Sequence, residues 1–269
     1  IIACLLHWGL FGTLTIQLYL YYEAFPNDRL SVNYLVYGVY TVELARTILV
    51  THDAFTAFGY GFGNLSALTN IHLNWLTVPI LGGIVACVGQ SFYAYRIYIF
   101  SKSRIIPTLI VAVALTSMVG GLITGVFGFI GLSFHLCQAL IETSTSVWCA
   151  GSATCDILIA TCMTYYLAKS GSGYRQTRVL ISKLIRLTIE TGSITAVVAI
   201  VNLILFFAFP GKTYYTAAAL ITPKLYANTM LAVLNARFQI LGGRATYISS
   251  SDTANILSTI ALRPGEIPI

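Results

Sequence analysis

Charged residues are scarce in this chain. Only 9% of its 269 residues are Asp, Glu, Lys or Arg, whereas 57% are hydrophobic and the mean hydropathy is +0.80. Soluble globular domains carry about 25% charged residues, which their water-exposed surfaces need. The composition therefore excludes an ordinary soluble domain. It also argues against nucleic-acid binding, because the basic residues behind the net charge of +6 lie between apolar runs and not in one patch.

Catalytic and metal-binding motifs are also missing. No CxxC, HExxH or HxxxH spacing occurs, and most of the six cysteines fall inside apolar runs, where cysteine behaves as a small hydrophobic residue. We therefore expect no metal and no cofactor. We expect no cleavable signal peptide either, since the apolar run that begins at Ile1 has neither a charged segment before it nor an A-x-A-like site.

Apolar runs of membrane-spanning length are what the chain does have. About 20 helical residues cross a bilayer, and a helix satisfies its own backbone hydrogen bonds in lipid. Seven such runs predict an all-α, seven-span bundle over residues 1–240 and a mobile cytosolic tail over residues 241–269. Within the fourth run, Gly121 and Gly125 form a GxxxG step that predicts the close approach of another helix. The predicted spans are Ile1–Tyr22, Val32–Val50, Trp75–Phe100, Ile105–Leu132, Val147–Leu167, Leu184–Phe209 and Thr213–Leu234.

The distribution of Lys and Arg predicts the orientation of these spans. The connections after spans two, four and six carry one basic residue, Lys212, whereas the opposite side carries twelve. Cytosolic connections are enriched in Lys and Arg, so we expect the N-terminus outside and the C-terminus in the cytosol. Asn64, in an Asn-Leu-Ser acceptor for N-glycosylation, lies in an outer connection, which agrees with this orientation. The twelve are Arg29, Arg96, Lys102, Arg104, Lys169, Arg175, Arg178, Lys183, Arg186, Arg237, Arg244 and Arg263.

Four ionisable residues interrupt the spans at similar depth. Glu43, Asp156 and Lys224 each lie ~13–16 Å below the outer end of their spans, and Arg46 is one turn from Glu43. A charge at the centre of an isolated span costs about 2.5–3.5 kcal/mol, so all four should face the bundle interior. Two structural ion pairs, Glu43–Arg46 and Asp156–Lys224, would explain them, and a ligand or proton site is the alternative. Asn228, one turn beyond Lys224, is expected in the same polar cluster.

Two more sets of polar residues lie nearer the membrane faces. At the inner face Glu190 follows Arg186 by four residues, which is the spacing of an ion pair on one side of a helix. All the histidines fall in the predicted outer half. A zinc-dependent membrane hydrolase could use them, whereas plain interfacial histidines or a pH-sensing histidine are the alternatives. The outer-face candidates are His52, Asp53, His72 and His135.

Two outer connections, His52–Asn74 and Ser133–Ser146, are long enough to have a role of their own. Aromatic residues alternate with glycines over Phe55–Gly63, which predicts a segment that folds over the mouth of the bundle or lies in the interface. A ligand would enter from outside between the two connections, and a lid that only seals the helices is the alternative. Cys137 and Cys149 flank the second connection and would allow an outer-face disulfide, unless Cys149 lies within span five.

Six strings of residues resemble a known family. They resemble the fungal seven-span membrane proteins, abundant in basidiomycetes, that are grouped as domain of unknown function 6534. The resemblance covers nearly the whole chain and implies a membrane location and a fungal source, but no activity. The strings are His52–Phe55, Gln90–Ile97, Cys155–Ala160, Leu184–Ser193, Lys224–Asn228 and Leu234–Arg237.

The architecture favours a receptor-like or sensory membrane protein without catalytic activity, with its site in the outer half of the bundle. One alternative is a small-solute or proton transporter that uses Glu43, Asp156 and Lys224. The other is the metal-dependent membrane hydrolase. The expected partners are the lipid bilayer and a small-molecule ligand from the outer side, with no nucleic acid. The expected location is the plasma membrane or an internal membrane of the secretory pathway.

Overall fold

The computed structural model of the chain describes residues 2–26, 28–62, 73–130, 135–169, 175–209 and 214–236, and the side chains at 135–138, 167–169 and 175–191 lie outside the description. The described residues form seven long helices and no strand. The π-helical turn Thr56–Tyr60 follows the second helix, and the third begins with a π-helical segment, Leu76–Leu81. The predicted tail lies outside the description. The helices are α1 (Ile2–Ala24), α2 (Leu30–Phe55), α3 (Leu76–Ser101), α4 (Ile105–Ile130), α5 (His135–Lys169), α6 (Arg175–Ala208) and α7 (Tyr214–Ala236).

Five of these described helices are long and apolar enough to cross a membrane, namely α1, α3, α4, α5 over Ala139–Tyr166, and α7. The helix α2 is equally long but carries Glu43, Arg46 and Asp53. The apolar part described for α6, Gly192–Ala208, is shorter. The length and composition of the five helices indicate a membrane protein.

Successive helices run in alternate directions. At one end of the molecule the start of α3 meets the end of α4, where the rings of Trp75 and Phe129 lie 4.6 Å apart between centroids. At the other end the Asn235 amide of α7 donates to the Gln17 carbonyl of α1 at 2.8 Å. We refer to these as the Trp75 end and the Asn235 end.

The helices α7 and α3 occupy the centre of the molecule. In α7 72% of the most apolar stretch is buried and in α3 61%, against 11% in α1. The helix α7 contributes to three apolar clusters: Tyr226 packs with α3, α4 and α5, Leu231 with α1, α2 and α3, and Leu220 with α2, α3 and α5. The polar residues Thr222, Lys224, Asn228 and Thr229 of α7 are accordingly buried.

The predicted close approach at the GxxxG step is confirmed. A Cβ atom on Gly125 would lie 2.8 Å from the carbonyl oxygen of Trp75, the residue before α3, and one on Gly121 would lie 2.9 Å from the Pro79 carbonyl oxygen in α3. Real Cβ contacts are not that short, so only glycine lets the backbones of α3 and α4 come this near.

The second outer connection was predicted wrongly, because α5 already begins at His135. The hydroxyls in this part of α5 donate to carbonyls one turn earlier, as in Thr143 to Ala139 at 2.8 Å and Ser146 to Glu142 at 2.7 Å. Such bonds keep polar side chains compatible with a helix. Hydropathy alone therefore placed the start of span five too late.

The disulfide hypothesis is wrong for the same reason. Cys137 and Cys149 lie on one helix, twelve residues apart, which corresponds to ~18 Å along the axis. A disulfide requires Cα atoms within about 7 Å. Cys149 is a buried free thiol inside α5.

The aromatic segment after α2 does not fold over the described helices. The helix continues through His52 to Phe55, and the side chains of Tyr60 and Phe62 are 91% and 89% exposed. Of the two predicted arrangements, folding over the mouth is therefore wrong for residues 55–62. Placement in the membrane interface stays a prediction.

Candidate functional site

The predicted Glu43–Arg46 pair is confirmed. The two residues lie one turn apart on the buried face of α2, and Arg46 Nη1 is 2.7 Å from Glu43 Oε1. Both side chains are completely buried. The spacing of three residues brings them together within a single helix, so this contact needed no information about the fold.

Arg46 also joins α2 to two neighbouring helices. Its Nε donates to the Thr77 carbonyl of α3 at 3.0 Å, and its Nη2 donates to the Leu220 carbonyl of α7 at 3.4 Å. Thr77 lies in the π-helical segment around Pro79, which has no N–H to donate to a regular helical ladder. A Cβ atom on Gly82 would lie 3.4 Å from Nη2, so a glycine here keeps space beside the guanidinium.

Lys224 of α7 binds the second oxygen of the same carboxylate. Its Nζ lies 3.0 Å from Glu43 Oε2 and donates to the Glu43 carbonyl at 3.1 Å and to Thr47 Oγ1 at 2.7 Å. The ring centroid of Phe11, in α1, lies 4.2 Å from Nζ, within cation–π distance. An ammonium has three donors, and each has a partner here. Lys224 therefore belongs with Glu43.

We call Glu43, Arg46 and Lys224 the ionic triad. It connects α2, α3 and α7, and α1 covers it through Phe11. With all three groups ionised its net charge is +1.

The predicted Asp156–Lys224 pair is wrong. The pair was predicted from similar depth along the helices, but depth does not define the direction in which a side chain points. Lys224 and Tyr226 are two positions apart, about 200° around α7, and it is Tyr226 that faces α5.

Asp156 is a separate centre on that other side of α7. Its Oδ1 accepts hydrogen bonds from Gln90 Nε2 of α3, at 3.2 Å, and from the Tyr226 hydroxyl. Its Oδ2 has no hydrogen-bond partner among the described residues, and no described Lys or Arg forms an ion pair with it. The residue is 2% exposed. Sequence analysis missed Gln90 and Tyr226, although polar groups inside apolar spans are a usable signal.

Asn228 was predicted to belong to the charged cluster, but it contacts α1 instead. Its Nδ2 donates to the Lys224 carbonyl at 2.8 Å and to the Leu10 carbonyl at 3.0 Å, while Oδ1 accepts from Thr13 Oγ1 at 2.8 Å. These hydrogen bonds connect α7 to α1 one turn from the ionic triad.

His7 is completely buried beside the ionic triad, with its Nε2 atom 3.5 Å from the Thr47 hydroxyl.

Of the four outer-face candidates, the structure describes the side chains of His52 and Asp53. His52 is 62% exposed, and its Nδ1 lies 3.5 Å from Asp53 Oδ1. Asp53 Oδ2 accepts the backbone N–H of Leu73 at 3.2 Å, so this carboxylate ties the end of α2 to the start of α3. No three described His, Cys, Asp or Glu side chains come together as metal ligands. Outside the description lie Asn64 and His72, and the side chains of His135, Arg186 and Glu190.

A groove of about 500 Å³ opens at the Trp75 end between α3, α4, α5 and α7. We call it the aromatic groove. Its described lining carries indole, phenyl, phenol, hydroxyl and amide groups and no charged side chain. Its lining residues are Asn74, Trp75, Val78, Pro79, Thr124, Gly128, Phe129, Ile141, Trp148, Tyr215 and Thr216.

A much smaller cavity of about 20 Å³ lies between α3, α5, α6 and α7, and Trp148 lines both it and the groove. Ser152, Asn202 and Thr222 supply its polar groups. Asn202 Nδ2 lies 3.7 Å from Cys149 Sγ, whereas Oδ1 has no hydrogen-bond partner among the described residues. The volume suits one water molecule.

Neither space is lined by the ionic triad or by Asp156. The path that was predicted from the outer connections to Asp156 and Lys224 is therefore not open in the described part of the chain. The groove ends at Trp148, and packed side chains surround the triad.

The comparison with known proteins agrees with the resemblance noted in the sequence. The model of a family of unknown function (DUF6534) matches residues 152–239, a stretch that runs from Ser152 in α5 past the end of α7. It includes Asp156, Lys224 and Tyr226. No curated protein and no solved structure is detectably similar to the chain.

Proposed function

We propose that the chain is a receptor-like, non-enzymatic seven-span membrane protein that binds an uncharged small molecule in the aromatic groove. One observation carries this proposal. The groove of about 500 Å³ has the size of a small-molecule site, and a few hydrogen-bonding groups stand among its aromatic walls.

The Asn235 end is the cytosolic end in this proposal, and the groove opens toward the outside. Arg29 lies between α1 and α2, and Lys102 and Arg104 lie between α3 and α4, so these short basic connections are at the Asn235 end. Basic connections remain in the cytosol. The N-terminus is then outside and the C-terminus inside.

The lining of the groove defines the class of ligand. Its described walls carry no ionisable side chain other than the Tyr215 phenol, so nothing compensates the desolvation of a charged ligand. Trp75, Phe129 and Trp148 offer ring faces and edges, and hydroxyls of Thr124 and Thr216 offer hydrogen bonds. A neutral, ring-containing molecule with one or two oxygen atoms fits this chemistry.

The ionic triad does not support the transport alternative. Its three side chains are completely buried, Lys224 Nζ has three polar partners, and none of the three residues lines the aromatic groove or the small cavity. A group that exchanges ions or solutes needs a path to water.

Cysteine accessibility tests the orientation. A single cysteine at Tyr60 should react with a membrane-impermeant maleimide in intact cells, since its side chain is exposed at the Trp75 end. A cysteine at Ser172 should react only after permeabilisation. The native thiols provide the background, which is measured in the unmodified chain; of those described, Cys87, Cys149 and Cys155 are buried, and Cys4 and Cys162 are partly buried. Labelling of the Ser172→Cys variant from outside would overturn the orientation.

Binding of a simple neutral probe tests the site. We expect 2-naphthol to quench the tryptophan fluorescence of the protein in lipid nanodiscs, and Gly128→Leu to weaken this binding by roughly tenfold or more, about 1.4 kcal/mol or more. A side chain at Gly128 would project into the groove beside Trp75, where a Cβ atom would lie 3.4 Å from the Trp75 Cβ.

Two controls make the probe experiment specific. Naphthalene-2-sulfonate has the same ring system with a negative charge and should bind far more weakly. Gly12→Ala, where a Cβ atom would meet nothing within 4 Å, should leave 2-naphthol binding unchanged. Equal binding of 2-naphthol to Gly128→Leu and to the unmodified chain would refute the proposed site.

A further inference from the structure

Asp156 has the most unusual environment of any described acidic side chain. It is almost completely buried, and no described Lys or Arg forms an ion pair with it. One of its oxygens accepts two hydrogen bonds, whereas the other accepts none from the described residues. A carboxylate in this position is expensive to keep ionised inside a membrane protein unless something binds to it.

A row of polar groups leads from the aromatic groove toward this carboxylate. On α5, Trp148, Ser152 and Asp156 follow one another at one-turn intervals, so they share one face of the helix. Trp148 separates the groove from the water-sized cavity, and Ser152 lines that cavity. The Ser152 side chain lies close to the Tyr226 hydroxyl, which donates to Asp156 Oδ1.

Asn202 gives independent support for a guest in the cavity. Its amide oxygen is buried, lines the cavity and has no hydrogen-bond partner among the described residues. Thr222, on α7, provides a second polar group in the lining. A water molecule there would satisfy the amide and would extend the row of hydroxyls toward the groove.

We propose that Asp156 is a proton-binding site that is loaded from the Trp75 end, past Trp148 and through the cavity lined by Ser152, Asn202 and Thr222. A proton from outer water enters the cavity water, and Ser152 and Tyr226 pass it on, each accepting one proton and releasing another. The Asp156 carboxylate becomes a carboxylic acid, with no change in redox state. That the Trp75 end is the outer end rests on the proposed orientation, whereas the site itself does not depend on a ligand in the groove.

Among the described groups around Asp156, the carboxylate of Asp156 itself is the one that takes up the proton. The facing side chain of α7 is a phenol, those of α3 and α5 are an amide, a hydroxyl and two buried thiols, and α4 presents apolar groups. The nearest arginine along α3 is six residues beyond Gln90. The neighbours are Tyr226, Gln90, Cys87, Cys155, Ser152, Ile110 and Ala114, and the more distant arginine is Arg96.

Trp148 can report the loading of the site. In the full chain with Trp8→Phe and Trp75→Phe, reconstituted in lipid nanodiscs, Trp148 is the remaining tryptophan. Its emission should follow one pH transition, and an infrared band of a protonated carboxylic acid should appear over the same pH range. Asp156→Asn should abolish both signals, because asparagine keeps the shape and cannot titrate. Glu142→Gln, an exposed acid on the same helix, should leave both unchanged.

The infrared band of the unmodified chain keeps the proposal falsifiable even if Asp156→Asn does not fold. Absence of a titrating carboxylic acid band in that chain would overturn it, as would persistence of both signals in Asp156→Asn. A shift of the transition when sodium replaces choline at fixed pH would indicate a metal cation as the guest and would also overturn it. In sealed vesicles the Trp148 signal should follow a pH jump on the outer side first; a response to the inner side alone would refute the path while leaving the ligand site in the groove unaffected.

Discussion

Glu43→Gln should destabilise the protein by about 3–5 kcal/mol, the cost of leaving buried charges without their partner. The carboxylate of Glu43 holds Arg46 with one oxygen and Lys224 with the other. Both cations are completely buried, so neither can turn toward water when the acid is gone. Thermal unfolding of the detergent-extracted protein, followed by loss of the monodisperse peak on size exclusion, measures the effect.

Lys224→Met should be much milder, although it also removes a member of the triad. It leaves the Glu43–Arg46 pair, which is neutral as a unit, and the flexible methionine side chain fills a similar volume beside Phe11. The order of stability should therefore be unmodified chain, Lys224→Met, the double variant, and Glu43→Gln. The double variant should recover part of the loss because only one cation is left unpaired. Strictly additive effects, or a Lys224→Met variant as unstable as Glu43→Gln, would contradict the triad.

Gly125→Ala should cost about 1–3 kcal/mol, since it forces α3 and α4 apart. The new methyl group would lie 2.8 Å from the Trp75 carbonyl oxygen and 2.7 Å from Ile80 Cδ1. The isoleucine end can move, but the backbone carbonyl belongs to the start of α3 and cannot move alone. The same unfolding assay measures the loss.

A second glycine gives the matched control for that variant. Gly12 in α1 has no atom within 4 Å of a Cβ position, so Gly12→Ala removes a flexible residue from a helix without any steric cost. It should be neutral or slightly stabilising. Equal unfolding temperatures for Gly125→Ala and Gly12→Ala would show that the close approach of α3 and α4 does not constrain the fold.

Local spacing in the sequence predicted those features of the site that lie within one helix. The Glu43–Arg46 contact follows from a three-residue step on α2, and the packing role of Gly121 and Gly125 follows from a four-residue step on α4. Both depend only on helical geometry, which hydropathy predicted well over most of the chain. The polar beginning of α5 is the exception, because its hydroxyl groups donate to backbone carbonyls of the same helix, which makes polar residues compatible with a helix.

Contacts between different helices could not be predicted from local spacing in the sequence. Depth in the membrane follows from counting residues, but the partner of Lys224 depends on which helices surround α7 and on how that helix is rotated. The same limit explains why Gln90 and Tyr226 were not assigned to Asp156. Partners of a side chain in the middle of α7 come from α1, α2, α3 or α5, and no linear spacing relates them.

The ionic triad and Asp156 lie on opposite sides of α7 at nearly the same height. Their contacts on α7, Lys224 and Tyr226, differ by only ~3 Å along the helix axis. The electric field of a membrane potential acts along the bilayer normal, and a full crossing by one charge is worth about 2.3 kcal/mol per 100 mV. A rearrangement that moved charge between the ionic triad and Asp156 would run sideways through this field and would be electrically almost silent. A proton that descends to Asp156 from the outer water would cross a large part of it. With Asp156 loaded in this way, we expect its loading to depend on voltage and a sideways rearrangement between the ionic triad and Asp156 to be almost independent of voltage.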